Sequence, residues 1–157
     1  MDVCPENFYA EYDLRTCSPG CTDPFYADNT THECVLHCVD SFADDSNHKC
    51  MDFCHNNFAD NSTNTCTDTC PDDPDYYGDD HVCVFYCTTA SYYADPDSRE
   101  CVPRCPNLTD YNTYGDPRTG RCVKTCSIGY YADNFTNLCK EVCPARSFAY
   151  NETRTCI

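Results

Sequence analysis

The chain has few of the residues that normally build a hydrophobic core. It contains no tryptophan, four leucines and two isoleucines among 157 residues. Basic residues are also scarce, since 10 lysines and arginines face 26 aspartates and glutamates, which gives a formal net charge of −16. Such a chain stays disordered unless cross-links offset its entropy. The composition excludes Rossmann, TIM-barrel and helix-bundle enzymes, and the acidic charge argues against a nucleic-acid partner because phosphates would be repelled.

Membrane and targeting segments are missing as well. No apolar run approaches the length of a membrane span. The start, Met1-Asp2-Val3-Cys4, has neither the basic region nor the apolar stretch of a signal peptide. Yet 18 cysteines are present, and disulfides at this density persist only outside the reducing cytosol. We therefore expect a secreted or cell-surface protein, and we interpret the chain as a mature or excised piece of a secreted precursor.

The cysteines follow a regular pattern. Nine long intervals of 12, 12, 11, 11, 12, 13, 16, 12 and 12 residues are joined by eight Cys-x3-Cys spacers. An internal repeat of this kind predicts an array in which each unit contacts mainly its neighbours. We expect one tandem array over residues 1–157, with repeats at approximately 4–20, 21–37, 38–53, 54–69, 70–86, 87–104, 105–125, 126–142 and 143–157.

Counting ranks the possible disulfide pairings. Pairing across the three-residue spacers would leave Cys4 and Cys156 without a spacer partner, at opposite ends of the chain. A pattern in which the first cysteine pairs with the third and the second with the fourth is an alternative. That pattern groups loops in pairs, and nine loops cannot be divided into pairs. Pairing across each long interval uses every cysteine, and each loop closure contributes about 3 kcal/mol in the chain-entropy model. The favoured pairs are Cys4–Cys17, Cys21–Cys34, Cys38–Cys50, Cys54–Cys66, Cys70–Cys83, Cys87–Cys101, Cys105–Cys122, Cys126–Cys139 and Cys143–Cys156.

The loops share a register counted back from the closing cysteine. Eight residues before it lies an aromatic residue in eight repeats, followed by Ala or Gly and then usually an acid. The fifth repeat deviates, because Asp75 occupies the aromatic position. Turn-forming Asn, Asp, Gly or Pro mostly follow the acid. We therefore predict a small disulfide-rich repeat protein: an elongated rod of nine single-disulfide modules with short β-hairpins and irregular loops, and almost no helix.

Five Asn-x-Ser/Thr sequons support the extracellular interpretation. Four lie at the predicted tips of the loops, where a bulky glycan can be accommodated, and the fifth lies inside the longest loop. We predict N-glycosylation at Asn29, Asn61, Asn107, Asn134 and Asn151.

The spacers resemble those of furin-like, growth-factor-receptor cysteine-rich repeats. The segments 101–106 (CVPRCP) and 139–144 (CKEVCP) carry this resemblance. The segment 131–136 (YADNFT) is similar to repeats in cysteine-rich surface glycoproteins of ciliates and other protists. The resemblance covers essentially the whole chain, and it implies loop-closing disulfides and an irregular rod with short β-pairings. It does not imply a receptor role, because the leucine-rich ligand domains of such receptors are absent.

The ends of the chain allow two interpretations. Met1, Asp2 and Val3 precede Cys4 as a spacer would, and Ile157 follows Cys156 where other spacers begin with Val. The chain is then either a slice of a longer array or a subunit that assembles head to tail. In the second case Ile157 would meet Met1 of the next copy, and such a contact builds an open filament.

Residues that could carry chemistry are better explained by structure or solvation. The five histidines (His32, His37, His48, His55 and His81) are interpreted as solvated loop residues without a shared place in the repeat. We expect no enzyme, no cofactor and no zinc site. Calcium would require a defined set of oxygen ligands, and no EF-hand pattern is present. The calcium candidates are Asp44, Asp45, Asp72, Asp73, Asp75, Asp79 and Asp80, of which the fifth-repeat group is the first to consider.

Two functions fit these observations. The first is a structural extracellular glycoprotein, whose partners are other copies of itself and glycans. The second is a ligand-binding or adhesive fragment of a larger cell-surface protein, with its binding surface at the deviant fifth and seventh repeats. Tyrosines outside the common register are candidates for contacts between molecules: Tyr12, Tyr77, Tyr86, Tyr92 and Tyr111.

Overall fold

The computed structural model describes residues 4–72 and 75–157, and both stretches consist of short β-hairpins joined by turns and bends. Neither of these ranges contains a helix, and so no helix there could span a membrane. The predicted class, a small disulfide-rich repeat protein with short hairpins, is confirmed.

In the described residues, eighteen strands form nine hairpins, one in each repeat. The strands are β1 (Tyr9–Glu11), β2 (Thr16–Ser18), β3 (Tyr26–Asp28), β4 (Glu33–Val35), β5 (Phe42–Asp44), β6 (Lys49–Met51), β7 (Phe58–Asp60), β8 (Thr65–Thr67), β9 (Tyr77–Asp79), β10 (Val82–Val84), β11 (Tyr93–Asp95), β12 (Glu100–Val102), β13 (Tyr114–Asp116), β14 (Arg121–Val123), β15 (Tyr131–Asp133), β16 (Leu138–Lys140), β17 (Ala149–Tyr150) and β18 (Thr155–Cys156).

Disulfides close each long interval between cysteines. The nine bonds run from Cys4–Cys17 to Cys143–Cys156, with Cα–Cα distances of 5.5–5.7 Å. All 18 cysteines lie within the described residues, and none of them is free. Within a hairpin the closing cysteine lies opposite the small residue of the first strand, as Cys34 lies opposite Ala27. The Ala or Gly at this position packs against the aromatic ring of the preceding repeat, as Ala27 does against Tyr9.

A parallel bridge links each hairpin to the next one. The first strand of one hairpin pairs with the second strand of its successor, as β1 does with β4 and β15 with β18. This arrangement occurs eight times. The backbone pairing of one hairpin is therefore completed by the next hairpin, as expected for a tandem repeat in which each unit contacts mainly its neighbours.

The fifth repeat keeps the common motif, contrary to the register predicted from its cysteine. Its first strand is Tyr77-Gly78-Asp79, equivalent to Tyr26-Ala27-Asp28 in the second repeat. Four residues separate the two strands in every other hairpin, but only Asp80 and His81 separate β9 from β10. Both have positive φ, as a two-residue hairpin turn requires. Counting eight residues back from Cys83 gives Asp75 instead of Tyr77 because this turn is two residues shorter than the others. The aromatic residue therefore lies six residues before the cysteine.

The backbone contacts divide the chain into two units. The first comprises Met1–Cys70 and Asp80–Cys83, and the second comprises Pro71–Asp79 and Val84–Ile157. In the first unit, buried clusters form around Tyr9 with Ala27 and around Ala43 with its neighbouring cysteines. In the second unit, a cluster forms around Tyr114 and Ala132. Disulfides, alanines and tyrosine rings thus replace the aliphatic core that the composition lacks.

Candidate functional site at the repeat junctions

The junction between consecutive hairpins has the same backbone geometry in all eight places. The backbone amide of the Ala or Gly in the first strand donates a hydrogen bond to a carbonyl in the next repeat, with N–O distances of 2.8–2.9 Å. The accepting residue lies two positions before the closing cysteine of that repeat. The acceptor residues all have φ between +51° and +67°. They are His32, His48, Asn64, His81, Arg99, Gly120, Asn137 and Arg154. This left-handed conformation ends each turn and directs the carbonyl toward the preceding hairpin.

Three histidines share this junction position, so the expectation that they have no common place in the repeat is wrong. His32, His48 and His81 each lie two residues before a closing cysteine. The ring of His32 stacks on that of Tyr9 with 6.5 Å between the ring centres, and the ring of His48 stacks on that of Tyr26 with 6.0 Å between the centres. His32 and His48 are half-buried, whereas His81 is exposed. Their spacing to the cysteines was the sequence signal that could have found them.

A carboxylate ends the first strand in eight of the nine hairpins, and most of these side chains are buried. At Asp60, one oxygen accepts hydrogen bonds from the Ser62 amide at 2.8 Å and its hydroxyl at 2.7 Å, and the other accepts from Thr63. Such bonds hold the following turn in place. The buried examples are Glu11, Asp28, Asp60, Asp79, Asp95, Asp116 and Asp133. The sequence predicted the acidic position but not its role, because burial is decided by the neighbouring repeat.

Some of these carboxylates also connect consecutive repeats. Asp79 accepts bonds from the amides and hydroxyls of Thr88 and Thr89. Asp116 accepts from both the amide and the hydroxyl of Ser127. In each case the donors lie just after the first cysteine of the next repeat. Both acids therefore fix the start of the next loop, and Asp116 also holds its own turn by accepting from the Arg118 amide.

Hydrogen bonding lowers the pKa of three of these carboxylates. Burial raises the pKa of Asp60, but bonds from Ser62 and Thr63 outweigh it and lower the pKa below its ordinary value. Asp79 has a lowered pKa for the same reason, with Thr88 and Thr89 as donors. The pKa of Asp133 is also lowered, because bonds from Thr136 and Lys140 outweigh its burial. These anions are consequently stabilised by the folded structure at neutral pH.

The register tyrosines reach across the junction to the next turn. The hydroxyl of Tyr9 donates to Asn29 at 2.5 Å, and the hydroxyl of Tyr131 donates to Asn151 at 2.7 Å. Tyr114 donates to Asn134 in the same way, and Tyr26 donates to Asp45. The hydrogen bond to Asp45, together with burial of the ring and the negative charge of Asp45, raises the pKa of Tyr26 to about 12. In the asparagines the acceptor is Oδ1, so the Nδ2 atom, which carries an N-linked glycan, is not used.

All five predicted glycosylation asparagines are exposed. Four are Asn29, Asn61, Asn134 and Asn151 at the first position of a turn, and Asn107 lies in the longest loop. Asn107 accepts a bond from the buried Asn137 through Oδ1. No described residue blocks these sequons by burying their asparagine.

The tyrosines outside the cysteine-counted register differ in their surroundings. Tyr12 and Tyr86 are 67% exposed. Tyr92 is half-buried, and so is Tyr111, whose ring lies 3.6 Å from Lys124 Nζ. Tyr77 is only 1% exposed, and it is therefore an internal packing residue. The prediction that Tyr77 contacts other molecules was wrong. Because the turn is shorter, counting from Cys83 did not show that Tyr77 occupies the common aromatic position.

Two acids of the fifth repeat, Asp72 and Asp75, form ion pairs with arginines. Arg99 lies 3.1 Å from Asp72 and 3.4 Å from Asp75, and Arg121 lies 3.1 Å from Asp75. The bonds from Arg121 and then Arg99 lower the pKa of Asp75. Over residues 4–72 and 75–157, no group of three or more His, Cys, Asp or Glu side chains is arranged to hold a metal ion. Asp73, another calcium candidate, lies outside the described residues.

The predicted subunit junction is described at one end. Met1, Asp2 and Val3 lie outside the described residues. Ile157 is 69% exposed, and its backbone exchanges two hydrogen bonds with Phe148. Ile157 thus extends the last hairpin by one residue pair.

Comparison of this chain with protein-family models, with curated proteins and with solved structures found no match.

Proposed function

We propose that the protein is a structural extracellular glycoprotein, N-glycosylated at its loop tips and assembled head to tail into a surface coat or fibril. The observation that carries this proposal is the uniform junction. The same backbone hydrogen bond recurs eight times, with no described repeat set apart by a cluster of catalytic groups. Repetition of one geometry serves length and mechanical continuity.

The extracellular location is supported by the nine disulfides, whose density is typical of secreted proteins. The charge of −16 fits a hydrated surface coat, since a strongly charged surface stays hydrated and soluble. Glycans at five exposed asparagines would add a hydrated layer over the exposed turns, and the disulfide closing each loop would resist proteolysis because proteases require flexible backbone. In this function the protein is not an enzyme and needs no cofactor.

The experiment is electron microscopy of the protein secreted by eukaryotic cells and purified without reductant, with mass spectrometry of its glycopeptides. The proposal expects filaments or sheets with an axial repeat of one nine-hairpin subunit, and occupied sequons. A variant with Gln at all five sequon asparagines is the matched control for the glycans. A monodisperse, unassembled protein with empty sequons would contradict the proposal.

A second candidate function is binding of a protein partner, as an adhesive fragment of a larger surface protein. It is favoured by a groove of about 340 Å³ in the first unit, lined by the exposed side chains Tyr12, Leu14 and Leu36 with the half-buried Phe25. This groove lies in the first two repeats rather than in the fifth or seventh. A map of glycan occupancy distinguishes the two functions, since a sugar-free face around the groove favours the adhesive one.

A further inference from the structure

A groove in the first unit lies directly beside one of the predicted glycosylation sites. Its volume is about 430 Å³, within the range of roughly 300–1,000 Å³ that small-molecule sites occupy. The residues that line it include the sequon residue Asn61 and three rings, those of Phe42, Phe53 and His55. They come from the third, fourth and fifth repeats, each of which has a neighbouring repeat on both sides. A group attached to the Asn61 side chain would therefore start at the wall of this groove.

The rings of this groove present an apolar surface to solvent. Phe53 is 58% exposed, and the ring of His55 meets it edge to face with 4.3 Å between the ring centres. Phe42 is half-buried and occupies the common aromatic position, from which the tyrosines of four other repeats donate to the following turn. Because phenylalanine has no hydroxyl, Phe42 offers the Asn61 turn only an apolar ring.

The polar groups of the groove suit a neutral ligand that donates hydrogen bonds. Asp52 and Asp80 line the groove, and both are exposed. Carboxylates accept hydrogen bonds from hydroxyl and amide groups but repel anions. A phosphate or an acidic sugar is therefore disfavoured. N-acetylglucosamine fits, because it is neutral and has hydroxyls, an acetamide N–H and an apolar ring face.

We propose that this groove holds the first sugars of the N-glycan attached to Asn61, with the apolar face of an N-acetylglucosamine against the Phe53 ring. The inference rests on the proposed function, since it requires that Asn61 is glycosylated. The C–H groups of a sugar carry partial positive charge and are attracted to the negative face of an aromatic ring. The covalent link keeps the sugar beside the ring at an effective concentration on the order of millimolar, so that even a weak contact is populated.

A second groove with a sequon residue shares the Phe53 ring. This groove contains Asn29, but Phe53 is the single ring among its described lining residues, whereas three rings surround the groove beside Asn61. The hydroxyl of Tyr9 also holds Oδ1 of Asn29. The Asn61 glycan is therefore the occupant that the rings favour. It would join the third repeat, which contains Phe53, to the fourth repeat.

The test compares how fast an endoglycosidase removes each glycan from the folded protein. The protein is secreted by cells that make only high-mannose glycans, and it is treated with an enzyme that cleaves between the two core N-acetylglucosamines. Mass spectrometry of glycopeptides follows each site separately. We expect release from Asn61 to be at least tenfold slower than release from Asn151. After reduction and denaturation the two rates should be equal, because the protection comes from the folded groove.

Three variants assign the protection to the Phe53 ring. Phe53→Ser removes the ring and should raise the release rate at Asn61 to that at Asn151, whereas Phe53→Tyr keeps a ring and should retain the slow rate. Tyr86→Ser is the matched control, because Tyr86 has the same place in the spacer of the fifth repeat, is 67% exposed and lies in a repeat without a sequon. Hydrogen exchange at the Ala27 amide, which donates into the third repeat, verifies that Phe53→Ser is folded.

A second readout observes the contact itself. After the glycans are trimmed to one N-acetylglucosamine at each site, the ring current of Phe53 should shift proton signals of the Asn61-linked sugar upfield. Loss of those signals in Asn61→Gln assigns them. We expect the upfield shift to persist in Phe53→Tyr and to disappear in Phe53→Ser.

The outcomes separate this inference from the proposed function. If no sequon carries a glycan, both the glycosylated coat and the groove assignment are overturned. If the Asn61 glycan is released as fast as the Asn151 glycan and shows no upfield shift, the groove assignment is wrong while the proposed function stands. An unoccupied Asn61 beside occupied sequons elsewhere has the same meaning.

Discussion

At the scale of single residues, the protein uses carboxylates as structural groups rather than as chemical ones. The buried acids accept hydrogen bonds from amides and hydroxyls of nearby turns, as Asp116 does from Arg118 and Ser127. Asp116 is 0% exposed. Leaving such donors unsatisfied in a buried site costs free energy, so the acid contributes to stability through its partners.

Replacement of one buried acid should loosen its hairpin. We expect Asp60→Ala to lower the free energy of local opening by about 1–3 kcal/mol, because the Ser62 and Thr63 donors lose their acceptor. The exposed Asp68 is the matched control, and Asp68→Ala should have little effect. Hydrogen exchange at the Ala59 amide, which donates to His81, measures the opening. Equal exchange rates in the two variants would contradict the assigned role.

The same acids predict sensitivity to low pH. The folded pKa values of Asp60, Asp79 and Asp133 lie below the ordinary value of an aspartate. Their stabilising contribution is therefore fully present above the unfolded pKa, near about 4, and is lost as the pH falls through the lower folded values. Denaturation measured between pH 7 and pH 2 should show constant stability down to about pH 4 and a decline below it. A flat profile to pH 2 would exclude this linkage.

At the scale of elements, each hairpin is short because two features confine it. The disulfide anchors the second strand at its middle residue, as Cys34 does in β4, and the acid followed by turn residues reverses the chain after the first strand. The small residue between the aromatic and the acid leaves room for the aromatic ring of the preceding repeat. At Gly115 an added Cβ would lie 2.6 Å from the Tyr93 ring of the sixth hairpin.

A side chain at Gly115 should therefore disturb one junction. We expect Gly115→Ala to destabilise the junction between the sixth and seventh hairpins by about 1–3 kcal/mol, the usual cost of overpacking. Gly20→Ala is the control, because an added Cβ there meets no atom within 4 Å. Hydrogen exchange at the Ala94 amide, which donates to Gly120 across that junction, reports the effect. Unchanged protection at Ala94 would show that Tyr93 moves aside at no cost.

At the scale of the whole molecule, the strand pairings of the described residues connect one repeat with the next. The disulfides constrain single loops. Side chains reach further in one region, where Arg121 of the seventh repeat pairs with Asp75 of the fifth. A defect in the first repeats should therefore spread mainly to neighbouring repeats, as in other linear arrays.

Removal of one disulfide tests this locality. We expect Cys38→Ser with Cys50→Ser to cost about 3 kcal/mol in the third repeat. Amide exchange should increase at Ala27, whose amide donates to His48 in the third repeat, and at Ala43, whose amide donates to Asn64 in the fourth repeat. It should remain unchanged at Ala132. Loss of protection at Ala132 would instead indicate one cooperative fold.

Prediction from sequence succeeded where the signal was covalent or strictly periodic. Cysteine spacing and turn residues predicted the hairpins and the fold class, because a closed loop of about 13 residues leaves the chain few arrangements. It failed in the fifth repeat, where counting from Cys83 concealed Tyr77 behind a shortened turn. It also overlooked His32 and His48, although their spacing to the closing cysteines was visible.

The sequence by itself determined that the chain is a disulfide-closed tandem array, since too few aliphatic residues exist for any other source of stability. Only the tertiary structure decided which strand of each hairpin joins the next and which acids become buried. Those outcomes depend on side chains and carbonyls from adjacent repeats meeting in space. The Asp79 carboxylate and the His81 carbonyl, for example, acquire their partners only when neighbouring hairpins pack.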